Sequence, residues 1–349
     1  MKSTWLFKGK VQVIAHRGAS AWHPEHTLAA YARAIRDGAD FIEPDLVMSR
    51  DGVLIARHEN EISASTDVAE HEAFASRRAR RVIDGKSVDG WFCEDFSIDE
   101  LRELRAREPL PQLRSSAQDH MHSLATFDDI VDLASRASAA LGRRIGLIPE
   151  LKHSSYFHSI GLDLEQALVS AWQRHGYLQA TPFGIQSFEV DNLRQLRDTL
   201  GTRSDNVFLV QLVGDPDGHP FDQLARGDTA LRYDRMITPA GLVEMAGYAN
   251  VVAPHKEAII PANSEAVPSL LVEHAHAAGL AVHAWTLRPE NAFLPARLRG
   301  SELPSERCES GSIREMLSLI DAGVDALFTD DPALGRRAVD QARTQGRPA

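Results

Sequence analysis

VIAHRGASAWHPEHTLAAYARAIRDGADFIEPDLVMSRDGVLIARHE, residues 13–59, sets His16, His58 and two alternating acids among apolar runs of strand character. VIAH and DFIEPDL are near-continuous apolar runs, as in strands buried on both faces of a parallel sheet. Between them Leu28, Tyr31, Ala32 and Ile35 keep the i, i+3, i+4, i+7 spacing of an amphipathic helix, with Thr27 placed to cap it and Gly38 to stop it. The stretch therefore reads strand, helix, strand, with His16, Glu43, Asp45 and His58 where a core is being built.

Working outward, the same device recurs. Apolar runs bounded by turn residues fall at 11–16, 40–46, 144–151, 182–188, 206–213, 249–255, 280–287 and 325–330. Helical spacing lies between them: Leu193, Leu196 and Leu200 before Gly201; Leu271, His274, Ala275 and Ala278 before Gly279; Ile313, Met316, Leu317 and Ile320 before Gly323. Eight strands alternating with helices is the count of an α/β fold of the (β/α)8 TIM-barrel kind, and 349 residues suit one such domain, 1–349. The spacing fails once, over 59–125, which reads as an insertion after strand two on the side where barrel active sites lie. Ser97 with Glu100 three residues on marks a capped helix there. The arginines of SRRARR (76–81) suit a solvated helix face better than a phosphate contact.

A formal charge of −11 and a pI near 5.7 provide no basic face for nucleic acid or an anionic membrane. Cys93 and Cys308 lack the spacing of a zinc site and cannot build a disulfide framework, so both read as free thiols. Trp5, Leu6 and Phe7 are too short an apolar run for a signal peptide, and no run approaches the ~20 residues of a membrane span. The expectation is a chain without integral membrane association, cytoplasmic as written and periplasmic if a leader has been removed. Neither Gly-x-Ser-x-Gly nor a phosphate-cradling GxxxxGK[ST] loop is present.

Glu43 and Asp45 lie two apart on one strand, so both side chains face the same way about 7 Å apart. Two bare carboxylates at about 7 Å repel by about 2.4 kcal/mol at an effective dielectric of about 20. Either a Lys or Arg or a hard divalent cation must sit between them. Glu150, in IPELK on the neighbouring strand, adds a third acid that one ammonium group could not neutralise, which favours Mg²⁺ or Ca²⁺. His16 ends strand one and on its own suits a hydrogen-bonded structural role. Arg17 beside it changes the balance, because its planar fork fits phosphate oxygens, and Gly18 permits a close backbone turn. His58 closes VLIARH after the turn SRDG and would fold back over the end of strand two. Two imidazoles beside a cation suit displacement at phosphorus, one protonating the leaving alkoxide and the other deprotonating water. Lys152 shares a face with Glu150, where it could hold a phosphate oxygen or form a salt bridge to Glu43 or Asp45. His153, His158, His175, His274 and His276 show no acid partner at ligand spacing and read as structural or surface residues.

AHRGAS, PEHTLAAYARAIRDGADFIEPDLVMSRDG, ARHE and IPELKH, with STDVAE, QSF, HAWTL and LFTDDP further on, resemble the glycerophosphodiester phosphodiesterases, and within them the longer bacterial periplasmic type. The resemblance covers nearly the whole chain. It implies a TIM barrel that hydrolyses a small-molecule glycerophosphodiester to glycerol 3-phosphate and an alcohol with one divalent cation, Ca²⁺ or Mg²⁺. Carried over by position, it makes Glu43, Asp45 and Glu150 the metal ligands and His16 and His58 the acid–base pair. It also puts Arg17 and Lys152 on the phosphate, and Gln186 and Trp285 on the wall of the substrate pocket. Related barrels act on lysophospholipids through a cyclic phosphate, and a barrel that only binds the headgroup is a further possibility. The chain departs from the pattern at HEN, where His-Asp is usual, and at EISASTDV, where an arginine-containing run is common.

Overall fold

The computed structural model describes residues 9–201, 205–262 and 267–346; Trp5, Leu6 and Phe7 lie outside the described residues. Each of the eight apolar runs supplies a strand: β1 (Gln12–His16), β2 (Phe41–Glu43, resumed as Asp45–Met48), β3 (Gly146–Leu147, resumed as Glu150–Leu151), β4 (Phe183–Ser187), β5 (Val207–Val213), β6 (Val251–Pro254), β7 (Ala281–Leu287) and β8 (Ala326–Thr329). Neighbours in this order pair in parallel, and β8 pairs with β1 to close the barrel. The breaks in β2 and β3 fall at Pro44 and Pro149, which have no N–H to give to a ladder. Their carbonyls still accept, from Glu150 N and Gln186 N, each at 2.9 Å.

The helices form where the periodicity places them. Leu28–Arg36 is capped by Thr27, whose Oγ1 accepts from Ala30 N, and it buries Ala30, Tyr31, Ala34 and Ile35 against the barrel. Asp191–Leu200 ends at Gly201, Leu271–Ala278 at Gly279, and Glu309–Asp321 shortly before Gly323. Among the described residues no helix is long and apolar enough to cross a membrane, and both cysteines are buried and free.

The two-residue period of the strands decides what faces the barrel axis. Ile14, Phe41, Ile148, Phe208, Val251 and Phe328 meet there in one apolar cluster. Two residues further along the same strands stand His16, Glu43, Glu150 and Asp330. Register makes them neighbours: His16 lies opposite Glu43, Asp45 opposite Glu150, and Glu150 opposite Gln186. One row of inward positions thus changes from apolar to polar at the C-terminal rim.

After β2 the chain turns at Ser49–Gly52 and returns as Leu54–Ala56, antiparallel to Asp45–Met48. Between Ala56 and the helix Phe127–Leu141 it leaves the barrel to form short 3₁₀ turns, a hairpin of Ala79–Ile83 with Lys86–Gly90, and the helix Ile98–Glu103. The capping box of Ser97 and Glu100 is present. The reading of SRRARR as a helix face is corrected. Asp84 and Gly85, at φ 47° and 76°, close a two-residue hairpin, so Arg80 and Arg81 lie on a strand. Their partners are local acids: Arg77 meets Glu100, Arg78 meets Asp89, and Arg81 meets Glu94 and Asp95.

His283 sits in the barrel interior, fully buried, with its ring against those of Phe208 and Phe328. Burial lowers its pKa to about 4. The unfolded chain therefore binds a proton that the folded chain refuses between about pH 4 and the ordinary 6.5, so stability falls as pH is lowered through that window. His283→Phe is expected to flatten this slope in urea denaturation followed from pH 7 to pH 4. An unchanged slope would mean that His283 does not contribute.

Candidate active site

The turn after β1 is built from two residues with left-handed backbone, Arg17 at φ 58° and Gly18 at φ 88°. A Cβ on Gly18 would stand 2.7 Å from the backbone of Ala30, so only glycine fits. The turn aims the Arg17 N–H at Glu43 Oε2 (2.9 Å) and sets the guanidinium between Glu25 (2.7 Å) and Asp45 (3.1 Å).

Glu43, Asp45 and Glu150 bring carboxylate oxygens within 4.8 Å of one another, and all three are buried. Each acid has a neighbour that fixes it. Gln186 donates from Nε2 to Glu43 (2.8 Å), His26 Nε2 meets Asp45 (3.0 Å), and Lys152 Nζ meets Glu150 (3.0 Å). Burial, then Asp45 and Glu150, raise Glu43 well above the carboxylate range. Glu150 is pushed up to about 8 by burial and by Asp45, against the opposing charge of Lys152. Burial would raise Asp45 as well, but the Arg17 charge and the His26 hydrogen bond hold it well below its ordinary value. Without more positive charge, the cluster is relieved only by protons.

The donor set fits a hard divalent cation: three carboxylates on adjacent strands, with two nearby cations that leave the charge unbalanced. Gln186 Oε1 is in addition a buried acceptor without a hydrogen bond. Glu43, Asp45 and Glu150 are the residues that would hold such an ion.

The two histidines are held in the same manner. His16 Nδ1 lies 2.6 Å from Asp330, whose other oxygen takes Arg114 (2.6 Å) and Arg288 (2.9 Å). His58 Nδ1 lies 3.0 Å from Glu59. A carboxylate at Nδ1 keeps the proton there and leaves the Nε2 lone pair free. Burial, helped by the Arg17 charge, lowers His16 to about 4; His58 is lowered to about 4 by the same two causes although 35% of its side chain still meets solvent, so both are neutral at pH 7. His16, His58, Arg17, Arg114 and Arg288 line one cavity of about 330 Å³.

Lys152 faces a second cavity, of about 430 Å³, with Glu150, Phe188 and Tyr233. Its salt bridge is to Glu150, where the sequence reading placed the alternative at Glu43 or Asp45. Gln186 is 1% exposed and lies beneath Glu43, supporting the carboxylates instead of forming a pocket wall. Trp285 donates to Ala253 O (2.8 Å), packs edge-on against Phe188, and lines a third cavity of about 500 Å³ that shares Arg288 and Phe293 with the first.

Several residues escape the sequence reading. Asp330 continues the inward period of β8 two places after Phe328, a signal that was available. Glu25 gains its meaning from Arg17, across the left-handed turn, and His26, Arg114 and Arg288 gain theirs from partners farther off in sequence. The histidines set aside for want of acids also need correction. His153 lies 2.6 Å from Asp84 and 3.1 Å from Glu59, His158 is 2.9 Å from Glu165, His175 is 2.8 Å from Asp128, and His276 is 2.9 Å from Asp325. All but Glu165 are brought in by long-range folding.

Comparison with known proteins bears on the fold and the family. The model of the glycerophosphoryl diester phosphodiesterase family matches residues 16–334. The glycerophosphodiester phosphodiesterase GDPD6 of Arabidopsis thaliana is 31% identical over 332 residues, which cover 91% of this chain and 82% of that protein. Among solved structures, a Silicibacter pomeroyi chain assigned to the glycerophosphoryl diester phosphodiesterases superposes with a TM-score of 0.67 at 19% identity, covering 98% of each chain. An Oleispira antarctica phosphodiesterase in complex with its product sn-glycerol-3-phosphate gives 0.60 at 20% identity, covering 95% of this chain and 97% of its own. At these identities the two structures speak for the fold. The family match over nearly the whole length speaks for more: the chain belongs to the glycerophosphoryl diester phosphodiesterase family of enzymes.

Proposed function

We propose that this enzyme hydrolyses glycerophosphodiesters, such as glycerophosphocholine or glycerophosphoethanolamine, to glycerol 3-phosphate and an alcohol, with one divalent cation, Mg²⁺ or Ca²⁺. The observation that carries this reading is the pair of neutral imidazoles, each oriented through Nδ1, at a cavity that shares Arg17 with the three-carboxylate cluster. The product complex of the Oleispira antarctica neighbour supports it.

Glu43, Asp45 and Glu150 would hold a divalent cation, whose chemistry there would be Lewis-acid polarisation of a phosphoryl oxygen. Arg17 keeps N–H groups beyond those directed at Glu25 and Asp45, and the Lys152 ammonium has donors beyond the one given to Glu150. Both can hold phosphate oxygens and share the charge that develops there. The imidazoles move the protons: one Nε2 takes a proton from water and the other gives one to the departing alkoxide oxygen. An anionic phosphodiester raises the pKa of whichever ring it approaches, which favours the protonated imidazolium that the general acid needs.

The expected result with glycerophosphocholine is release of glycerol 3-phosphate in Mg²⁺ or Ca²⁺ and its loss in EDTA. Turnover that persists in EDTA would exclude the cation. His16→Ala and His58→Ala should each lower turnover by at least ~10²-fold with cation affinity kept. Near-normal rates in either variant would remove that histidine from the reaction.

Glu43→Gln puts a neutral isostere where crowding already holds the carboxyl protonated, and the Gln186 amide can reverse to accept from the new NH₂. The metal-free variant should unfold at a temperature no lower than that of the wild type, while the rise in Tm that Ca²⁺ or Mg²⁺ gives the wild type is lost. A retained rise would place the ion elsewhere.

A further inference from the structure

His58 and His16 are unequally supported. His16 ends a barrel strand, is buried, and leans on an aspartate fixed by two arginines. His58 follows the short returning strand Leu54–Ala56, and its side chain is 35% exposed. A half-free imidazole on a loop adopts several rotamers unless a partner holds it. Its partner Glu59 is itself 51% exposed, and a surface glutamate left free spreads over many rotamers.

What removes that freedom is the other oxygen of Glu59. Oε1 lies 3.0 Å from His58 Nδ1 and Oε2 lies 3.1 Å from His153 Nε2. The far side of His153, Nδ1, lies 2.6 Å from Asp84 Oδ2. In the series carboxylate, imidazolium, carboxylate, imidazole, the two acids keep the 11%-exposed His153 protonated, with a pKa of about 9 against the cost of burial. Asp84 forms the tip of the Ala79–Gly90 hairpin. Asp84 and His153 both hold left-handed backbone, at φ 47° and 52°, which side chains other than glycine rarely adopt. Two unusual backbone positions, on elements far apart in sequence, thus meet at His153, whose other nitrogen holds the carboxylate that faces His58.

We propose that Asp84, His153 and Glu59 form a positioning chain for His58, through which the tip of the inserted hairpin fixes the catalytic imidazole. A glutamate at position 59 is what the chain requires, because its two oxygens bridge two histidines. None of the three touches the carboxylate cluster, and their effect is on the placement and tautomer of His58. The structural alternative is that Asp84 and His153 merely anchor the hairpin to the barrel.

The proposal rests on turnover of a glycerophosphodiester by the wild-type enzyme, so that activity is measured first. An inactive wild type would remove that functional reading, whereas the outcomes below, in an active enzyme, bear on the chain alone. Glu59→Gln, near-isosteric and half exposed, should lower kcat for glycerophosphocholine by ~10- to 100-fold, the range seen when a ligand's orienting partner is lost. KM and the half-saturating Ca²⁺ or Mg²⁺ concentration should stay within about threefold. His153→Gln, which can still donate to Glu59, should lose less than His153→Ala. The double variant Glu59→Gln/His153→Ala should be no slower than Glu59→Gln alone, because His153 acts through Glu59. Unchanged kcat in Glu59→Gln, or losses that multiply in the double variant, would overturn the positioning chain.

Discussion

Carboxylate crowding at the ends of β2 and β3 is the constraint around which the rim is organised. With oxygens within 4.8 Å, any ionised pair among Glu43, Asp45 and Glu150 repels by about 3.5 kcal/mol or more at an effective dielectric of about 20. That exceeds the repulsion expected from strand spacing alone. Arg17 and Lys152 offset part of it, and their own burial is tolerated because these acids surround them. The rest is relieved by protons on Glu43 and Glu150 or by a cation. The left-handed turn at Arg17 and Gly18, the buried contact of His26 with Asp45 and the Gln186 amide on Glu43 all hold the acids where they repel. Such an arrangement exchanges stability for a site that a divalent ion can fill.

Barrel and insertion divide the labour. The barrel provides the acids, His16 and Lys152 from inward positions at its C-terminal rim, the usual place for chemistry in this architecture. The insertion reaches back from two sides. Arg114 meets Asp330 and Glu290 beneath His16, and Asp84 meets His153 beside Glu59. Arg57, fully buried among the carbonyls of Ala56, Ser65 and Glu25, fastens the start of the insertion to the loop that carries Glu25. Segments with no strand in the barrel thereby hold the carboxylate partners of both imidazoles.

Most of the fold was legible because it rests on local pattern. Eight apolar runs became eight strands, and glycines ended the helices, since period and turn chemistry act within a few residues. The carboxylate cluster was legible for the same reason: Glu43 and Asp45 share a strand, and strand adjacency brings Glu150 to them. The partners of the histidines were not. Asp330 lies 314 residues from His16, and Asp84 lies 69 residues from His153; nothing in local spacing announces either pair. The strand at SRRARR has a nearer cause, for the Asp84-Gly85 turn that closes the hairpin lies just three residues beyond it. Gln186 is put on the pocket wall by the family resemblance alone, but its inward direction meets Glu43 before it meets solvent.

The central claim is that these three acids form one cation site beside the two histidines. Anomalous diffraction from crystals soaked in Mn²⁺, a stand-in for Mg²⁺ and Ca²⁺ with oxygen ligands, tests it directly. The account predicts one strong anomalous peak within bonding distance, about 2.0–2.6 Å, of carboxylate oxygens from Glu43, Asp45 and Glu150. A peak elsewhere, or intact salt bridges from Arg17 and Lys152 with no ion between the acids at saturating Mn²⁺, would contradict it.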